Sequence, residues 1–510
     1  MGTTSTATFS SSSRSSSSSS NNSHDSLTSL EVNDEDISST RGRNAVSLLP
    51  IYLTDARSVS TYHPEDEPNG ALQLSVAENQ MLEDLLVPAL RKFSVTEKNE
   101  SDTDFNGLFY ADQIYYQPTH GRPGLRKAMA TYLKQILKLS SDHTLDEEGL
   151  VLGAGCNAVL ENLCFTLTEP GDGVLIPTPY YAAFEFDLVA RAGLEIVPVN
   201  TFQFHEDVDS SNSISQESYY PNKASLDAAY ESSKESGVEP KILLLSHPNN
   251  PLGICYPPSV MKECIDWARE RKVHLVSDEI YAGSVYEKRN ADTGMDTFES
   301  ALSLAADPST NTEEQGLGLG PYIHFVYALS KDMALSGLRV GVTYSENKAI
   351  RLPMQKLNDL CQISSQTQLT VEKMLSATGD DKSSLWVTNE FLPENNSRIE
   401  TRSTQLKTCL DECGVPYLHG NSGLFLWIDF MEFLPALEVD EDEDCEKSKD
   451  RRERSLYLAL LQEFGLLFTP GRSMKNELPG FFRCVFTAAS DDEFKLGLKR
   501  IKTFVDSRRV

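Results

Sequence analysis

Along about residues 100–350, short runs of consecutive apolar residues alternate with segments whose apolar positions recur at helical spacing. The runs Gly149–Leu152, Gly173–Pro177, Ile242–Ser246, Val273–Asp278 and Ile323–Tyr327 are too short for helices and predict strands buried on both faces. Between them, Ala158–Thr166, Ser225–Ser233 and Pro258–Arg271 have the spacing of helices with one apolar face. This repeated strand-helix order predicts an α/β fold, with a large domain over residues 100–350 built on a mostly parallel sheet covered by helices. The N-terminal segment, residues 41–99, and the C-terminal part, residues 351–510, are expected to join in a smaller α+β domain that includes the run Gly423–Ile428. Residues 1–40 are dominated by serine and have almost nothing apolar to bury, so they read as a disordered arm. Three polar stretches read as surface insertions: His205–Asn222, Ala306–Gly320, and the acidic run Asp440–Asp444 leading to Arg451–Arg454.

Composition narrows the function classes. The 510 residues include 46 Lys or Arg against 75 Asp or Glu, a formal charge of −29. Nucleic acids and anionic membranes require a basic face, so neither is expected as a partner, and only a local anion site is allowed. No stretch reaches the roughly 18 apolar residues of a membrane span, and the start of the chain lacks a short apolar secretory core. The expected location is the cytoplasm. Organellar targeting by the Ser-rich start is the lesser alternative, because Arg14 is the only Lys or Arg before Arg41. Nine cysteines form no CxxC pair and no zinc spacing, so they read as reduced thiols and no metal site is expected.

Candidate chemistry lies at three strand ends. Just past Ile323–Tyr327, the segment Ala328–Gly341 carries Lys331 among Ser330, Ser336, Gly337 and Arg339. A loop lysine taken alone is a solvated side chain. At the carboxyl edge of an α/β sheet, beside small residues and an arginine that look like an anion cradle, it becomes a candidate nucleophile able to form a Schiff base. Val276–Tyr281 brings Asp278 and Tyr281 to another strand end, where Asp is otherwise an ordinary turn residue. Ser246–Gly253 must turn sharply at its prolines and glycine, which holds Asn250 over the same edge. A lysine, a carboxylate, an amide and a phenol converging there are the set a pyridoxal 5'-phosphate site requires.

The elements NNPLG (Asn249–Gly253), SDEIY (Ser277–Tyr281) and SKDMALSGLRVG (Ser330–Gly341), in this order, resemble the fold-type I, pyridoxal-phosphate-dependent class I/II aminotransferases over about residues 45–505. Ala77–Gln80, His120–Ala130, Pro177–Tyr181 and Pro479–Arg483 are similar, more narrowly, to the 1-aminocyclopropane-1-carboxylate (ACC) synthase-like branch. The resemblance implies that Lys331 joins the cofactor as a Schiff base and later moves the substrate α-proton. It implies that Asp278 pairs with the pyridine nitrogen, that Asn250 and Tyr281 bind the ring oxygen, and that Tyr181 stacks on the ring. Arg339, Ser330 and the backbone amides of Cys156 and Asn157 would hold the phosphate, and Arg483 would clamp the substrate carboxylate. Read singly, Tyr181 is a core or surface aromatic, Arg483 a surface ion-pair partner and Cys156 a small filler. Two positions depart from the ACC synthase pattern. Thr119 stands where a tyrosine reaches the neighbouring subunit's cofactor phosphate, and Ala328 stands where a serine precedes the lysine by three residues; both changes remove a hydroxyl from the phosphate cup.

The shared residues suffice for transamination between an α-amino acid and a 2-oxo acid, which is the first expectation. The alternative is ACC synthase-like elimination from S-adenosylmethionine, with Glu78 as the carboxylate facing the sulfonium charge. A second alternative is a non-catalytic binding protein on the same fold, against which the retention of Lys331 counts. The resemblance also implies a homodimer.

Overall fold

The computed structural model describes residues 44–45, 48–94, 114–141, 143–202, 215–286, 298–307, 316–379, 384–436 and 445–509. The serine-rich arm and the acidic run at 440–444 lie outside the described residues. After the short strand β1 (Leu72–Gln73), the main sheet is made by β2 (Leu150–Gly153), β3 (Gly173–Pro177), β4 (Glu195–Val199), β5 (Pro240–Ser246), β6 (His274–Asp278), β7 (Ile323–Ala328) and β8 (Gly341–Tyr344). Their spatial order is β2-β8-β7-β6-β5-β3-β4. Every neighbouring pair is parallel except the two that β8 makes, with β2 and with β7. Because β8 is antiparallel to both, β2 runs with the others, and six strands end on one edge.

Alternate residues of these strands serve two cores, as the period of an extended chain requires. Leu152, Leu175, Leu243, Leu245, Leu275 and Phe325 pack with the helices Pro123–Ile136 and Pro258–Arg271. Val151, Val174, Ile242, Leu244, Val276 and Val326 pack with Val159, Leu160 and Leu163 of the helix Cys156–Leu167. The helix Pro258–Arg271 starts on a proline, which fits an N-terminal position where no amide donor is needed, and stops at Lys272 in the left-handed region (φ 55°). The three predicted helices all form, as Cys156–Leu167, Lys223–Glu235 and Pro258–Arg271.

A second layer comes from both ends of the chain. There β9 (Phe425–Asp429), β10 (Leu466–Leu467), β11 (Thr469–Pro470) and β12 (Phe481–Val485) follow. An antiparallel sheet has the order β11-β12-β9, and β1 pairs in parallel with β10, so Leu72 lies beside Leu466. The long helix Leu392–Cys413 and the last helix, Asp491–Arg508, complete this layer, the latter opened by a capping box between Ser490 and Glu493.

Several expectations change. β4 and β8 were not foreseen, and the strand expected at Gly423 begins at Phe425. The stretch Ala306–Gly320 is not wholly a surface insertion. Leu317 and Leu319 are buried, and their backbone N–H groups donate to the carboxylate of Glu346. Ser218 and Tyr219 at the end of His205–Asn222 are likewise buried, with Tyr219 against Phe202. Arg451–Arg454 belongs to the helix Cys445–Gln462.

Candidate active site

The common strand edge gathers the sequence-derived candidates. β2 leads through Gly155, at φ 98°, into the helix that begins with Cys156 and Asn157. β3 leads to Tyr181, β5 to Asn250, β6 to Asp278 and Tyr281, and β7 to Ser330 and Lys331, while Arg339 precedes β8. Arg483 comes from β12 in the other layer. All ten of these side chains line one cavity of about 510 Å³. Glu78 does not line it. Its Oε1 accepts the Ser336 hydroxyl at 2.6 Å, and Ser336 forms part of the wall. Glu78 precedes the helix Glu83–Ser94, so it is not a helix-start carboxylate.

Lys331 Nζ donates to the Ala77 carbonyl at 2.5 Å. Burial, then the charge of Arg483, pulls its pKa down to about 8. A fraction of the amine is therefore unprotonated near neutral pH, as a nucleophile or base requires. Burial pushes Asp278 up to about 7; its Oδ1 accepts from the Ile280 N–H at 3.3 Å and faces the Cys156 thiol at 3.8 Å. The Cys156 thiol is itself driven well above its ordinary pKa by burial, which fits a filler and not a nucleophile. Tyr281 and Tyr181 are kept neutral by burial, and each meets a phenylalanine edge-on, Phe425 and Phe184 respectively.

Arg483 is buried, not a surface ion-pair residue. Its Nη1 donates to Asn250 Oδ1 at 2.7 Å and its Nη2 to the Ser75 carbonyl at 2.5 Å, with the guanidinium 5.2 Å from the Phe425 ring. Its buried Nε has no partner among the described residues. A buried cation with an unspent donor suits an incoming carboxylate.

Among the cavity residues that the sequence reading missed, two carry titratable groups that burial shifts. Asp187 lines it, receives the Asn157 side-chain amide at 2.6 Å and is raised by burial to about 6. The segment Phe184–Val189 carries two acids, Glu185 and Asp187, between apolar residues, and nothing in the pattern singles out Asp187. Tyr52, from the helix Ile51–Arg57, also lines the cavity, and burial raises its hydroxyl pKa. No local pattern marked it.

These shifts give a sign for stability against pH. Asp278, Glu279 and Asp332 are raised to about 7 and Glu453 to about 8, chiefly by burial. Carboxyls released at about pH 4 in the unfolded chain stay protonated longer in the folded one, so these groups lower stability as pH rises toward 7–8. His247, His274 and His324, held by burial at about 4, 4 and 3, act in the opposite sense, but only below the unfolded histidine value of about 6.5. The cofactor-free protein should therefore melt at progressively lower temperature between about pH 6.5 and 8. A melting temperature that rises over that range in calorimetry would contradict the assigned burial.

The fold and the strand-edge cavity define a fold-type I architecture with a lysine, a buried carboxylate and an anion cradle at the carboxyl ends of the strands. Residues 112–501 match the family described as aminotransferase class I and II. The chain belongs to that family, in its ACC synthase-like branch. It is 32% identical over 449 residues to 1-aminocyclopropane-1-carboxylate synthase 5 of Arabidopsis thaliana, covering 87% of this chain and 86% of the relative. It is 34% identical over 446 residues to synthase 5 of Oryza sativa subsp. japonica, covering 88% of this chain and 75% of that one. Among solved structures, Bna3p of Saccharomyces cerevisiae superposes with a TM-score of 0.68 at 16% identity, covering 92% of this chain and 99% of that one. The aspartate aminotransferase of Thermus thermophilus superposes with a TM-score of 0.61 at 18% identity, covering 91% and 99%. At these identities the two structures establish the fold.

The cofactor of this family is pyridoxal 5'-phosphate, and the residues present fit it. A Cβ on Gly155 would stand 2.2 Å from Arg339 Nη2, so glycine there lets the guanidinium lie against the mouth of the Cys156–Leu167 helix, a favourable place for a phosphate. Asp278 is a buried carboxyl raised to about 7, which a protonated pyridine nitrogen would complement.

Proposed function

We propose that the protein is a pyridoxal-phosphate-dependent lyase that converts S-adenosylmethionine to ACC and methylthioadenosine. Two things support this over transamination, the first expectation from sequence: the ACC synthase relatives that match most of the chain, and above all the position of Glu78. Its carboxylate does not line the cavity but accepts from Ser336 of its wall, and that hydrogen bond, helped by the Gln80 amide and the Lys331 charge, keeps its pKa below the usual carboxylate value. An ionised carboxylate there favours a substrate that carries a sulfonium charge.

In this reading the cofactor supplies the electron sink that makes an α-proton removable. Arg339, Ser330 and the first amides of the Cys156–Leu167 helix would hold its phosphate, Asp278 would keep a proton on its ring nitrogen, Asn250 and Tyr281 would bind its ring oxygen, and Tyr181 would cover its face. Arg483 fixes the substrate carboxylate, and Lys331 Nζ takes the α-proton. The α-carbon then bonds to the γ-carbon as the γ-carbon–sulfur bond breaks, and the sulfonium leaves as a neutral thioether. Glu78→Gln should raise KM for S-adenosylmethionine about tenfold, or about 1.4 kcal/mol, and leave that for uncharged amino acids unchanged. An unaltered KM in steady-state assays would remove Glu78 from substrate binding.

Transamination remains the second reading because of Thr119. Its hydroxyl donates to the Gln355 carbonyl at 2.7 Å and Thr119 is not among the residues lining the cavity, so this departure from the ACC synthase pattern has no compensation from that hydroxyl. A cytoplasmic homodimer is also part of the proposal. The nine free thiols suit a reducing compartment, and the exposed Ile114, Tyr115, Tyr116 and Leu360 suit a covered surface.

A further inference from the structure

Three segments that carry the candidate chemistry meet one turn of the helix Leu392–Cys413, outside the cavity. Asn395 is completely buried. Its Nδ2 donates to the Asp332 carbonyl at 3.0 Å, next to Lys331, and its Oδ1 accepts from Asn79 Nδ2 at 2.8 Å, next to Glu78. The following residue, Asn396, donates through Nδ2 to the Gly283 carbonyl at 3.0 Å, two residues after Tyr281. Gly283 N–H and the Ser284 hydroxyl in turn donate to the Asp332 carboxyl, each at 2.6 Å.

The direction of this chain is fixed by its ends. The Met81 N–H can only donate, and it donates to Asn79 Oδ1 at 3.1 Å. The Asn79 amide must then present its nitrogen to Asn395 Oδ1, and Asn395 must present its own nitrogen to the Asp332 carbonyl, which can only accept. An amide meets both demands at once. An ionised carboxylate lacks the donor, and an aliphatic side chain lacks both groups.

We propose that Asn395 is a positioning residue, whose amide locks the Ala77–Glu78 segment and the Lys331–Asp332 segment in one relative placement. The contact it protects is the 2.5 Å approach of Lys331 Nζ to the Ala77 carbonyl. Arg483, Asn250 and Arg339 are held by other elements, so substrate and phosphate contacts do not depend on it directly. The proposal rests on Lys331 being the reactive amine, and its test includes a measurement that needs neither substrate nor turnover.

Asn395→Leu keeps the branched shape and the number of side-chain heavy atoms and deletes both hydrogen bonds. Its kcat should fall about 10- to 100-fold, the scale of a misplaced reactive group, with KM nearly unchanged. In cofactor-free full-length protein, an amine-acylating reagent followed by peptide mass spectrometry reports the fraction of Lys331 that is unprotonated at each pH. The groups setting that titration are Arg483, Glu78, Cys156, Arg339 and Asp278. The wild-type midpoint should fall near 8, and the variant's should move upward as water gains access.

Asn395→Asp supplies the second arm. A protonated carboxyl donates and accepts as the amide does, and burial beside Glu78, Lys331 and Asp332, with Glu394 and Arg398 on its own helix, makes its proton count decide the geometry. Its kcat relative to wild type should therefore decline as pH rises. If Asn395→Leu leaves both kcat and the Lys331 midpoint at wild-type values, the proposal is overturned. The same holds if Asn395→Leu does not fold and Asn395→Asp keeps a constant activity ratio across pH. Failure of wild-type Lys331 to bind the cofactor would overturn the reading beneath it, a different result.

Discussion

Lys331→Ala protein should fold, take up cofactor without a covalent link, and turn over about 1,000 to 10,000 times more slowly than wild type. Among the described residues that line the cavity, Lys331 is the only lysine. Tyr281 and Tyr181 are raised well above their ordinary values by burial. Of the cavity carboxyls, Asp187 is engaged by the Asn157 amide and Asp278 by the Ile280 N–H. The companion measurement is borohydride reduction of wild-type protein with the cofactor, followed by peptide mapping, which should find the pyridoxyl group on Lys331. A label on another lysine, or variant turnover within a few-fold of wild type, would sink this assignment.

The second large effect is expected from Asp278→Asn. The exchange nearly keeps the shape and removes the charge that would hold a proton on the ring nitrogen. Turnover should drop about 100- to 1,000-fold while cofactor absorbance shows full occupancy. The Asp278 carboxyl is buried and faces a thiol and one backbone N–H at the distances given above. Near-normal kcat in a fully loaded variant would reduce Asp278 to a structural residue.

Much of this site was legible because its parts sit at strand ends. β2, β3, β5, β6 and β7 are buried on both faces, and such strands read as apolar runs whose ends point to a ligand edge. β4 escaped because it is an edge strand with Glu195 exposed and Pro198 within it. β8 escaped because it has four residues and runs against its neighbours, directly after the segment that looked like an anion cradle. Leu317 and Leu319 are core residues inside a polar stretch, visible only once Glu346 is seen to bind their amides.

The positioning pair was illegible for a different reason. Asn79 and Asn395 are 316 residues apart in the chain, and an asparagine in the first turns of a helix ordinarily reads as a weak helix former. Long-range hydrogen bonds between small amides leave no periodic trace. Arg483 lay between these cases: its neighbourhood was recognisable, but its burial and its contact with Asn250 were not.

The most direct test of the account is to incubate the cofactor-loaded protein with S-adenosylmethionine and, separately, with amino acids followed by 2-oxo acids, and to quantify products by mass spectrometry. ACC and methylthioadenosine in equal amounts, formed faster than any amino acid is transaminated, is the predicted result. Transfer of an amino group from an amino acid to a 2-oxo acid, with no ACC from S-adenosylmethionine, would contradict it.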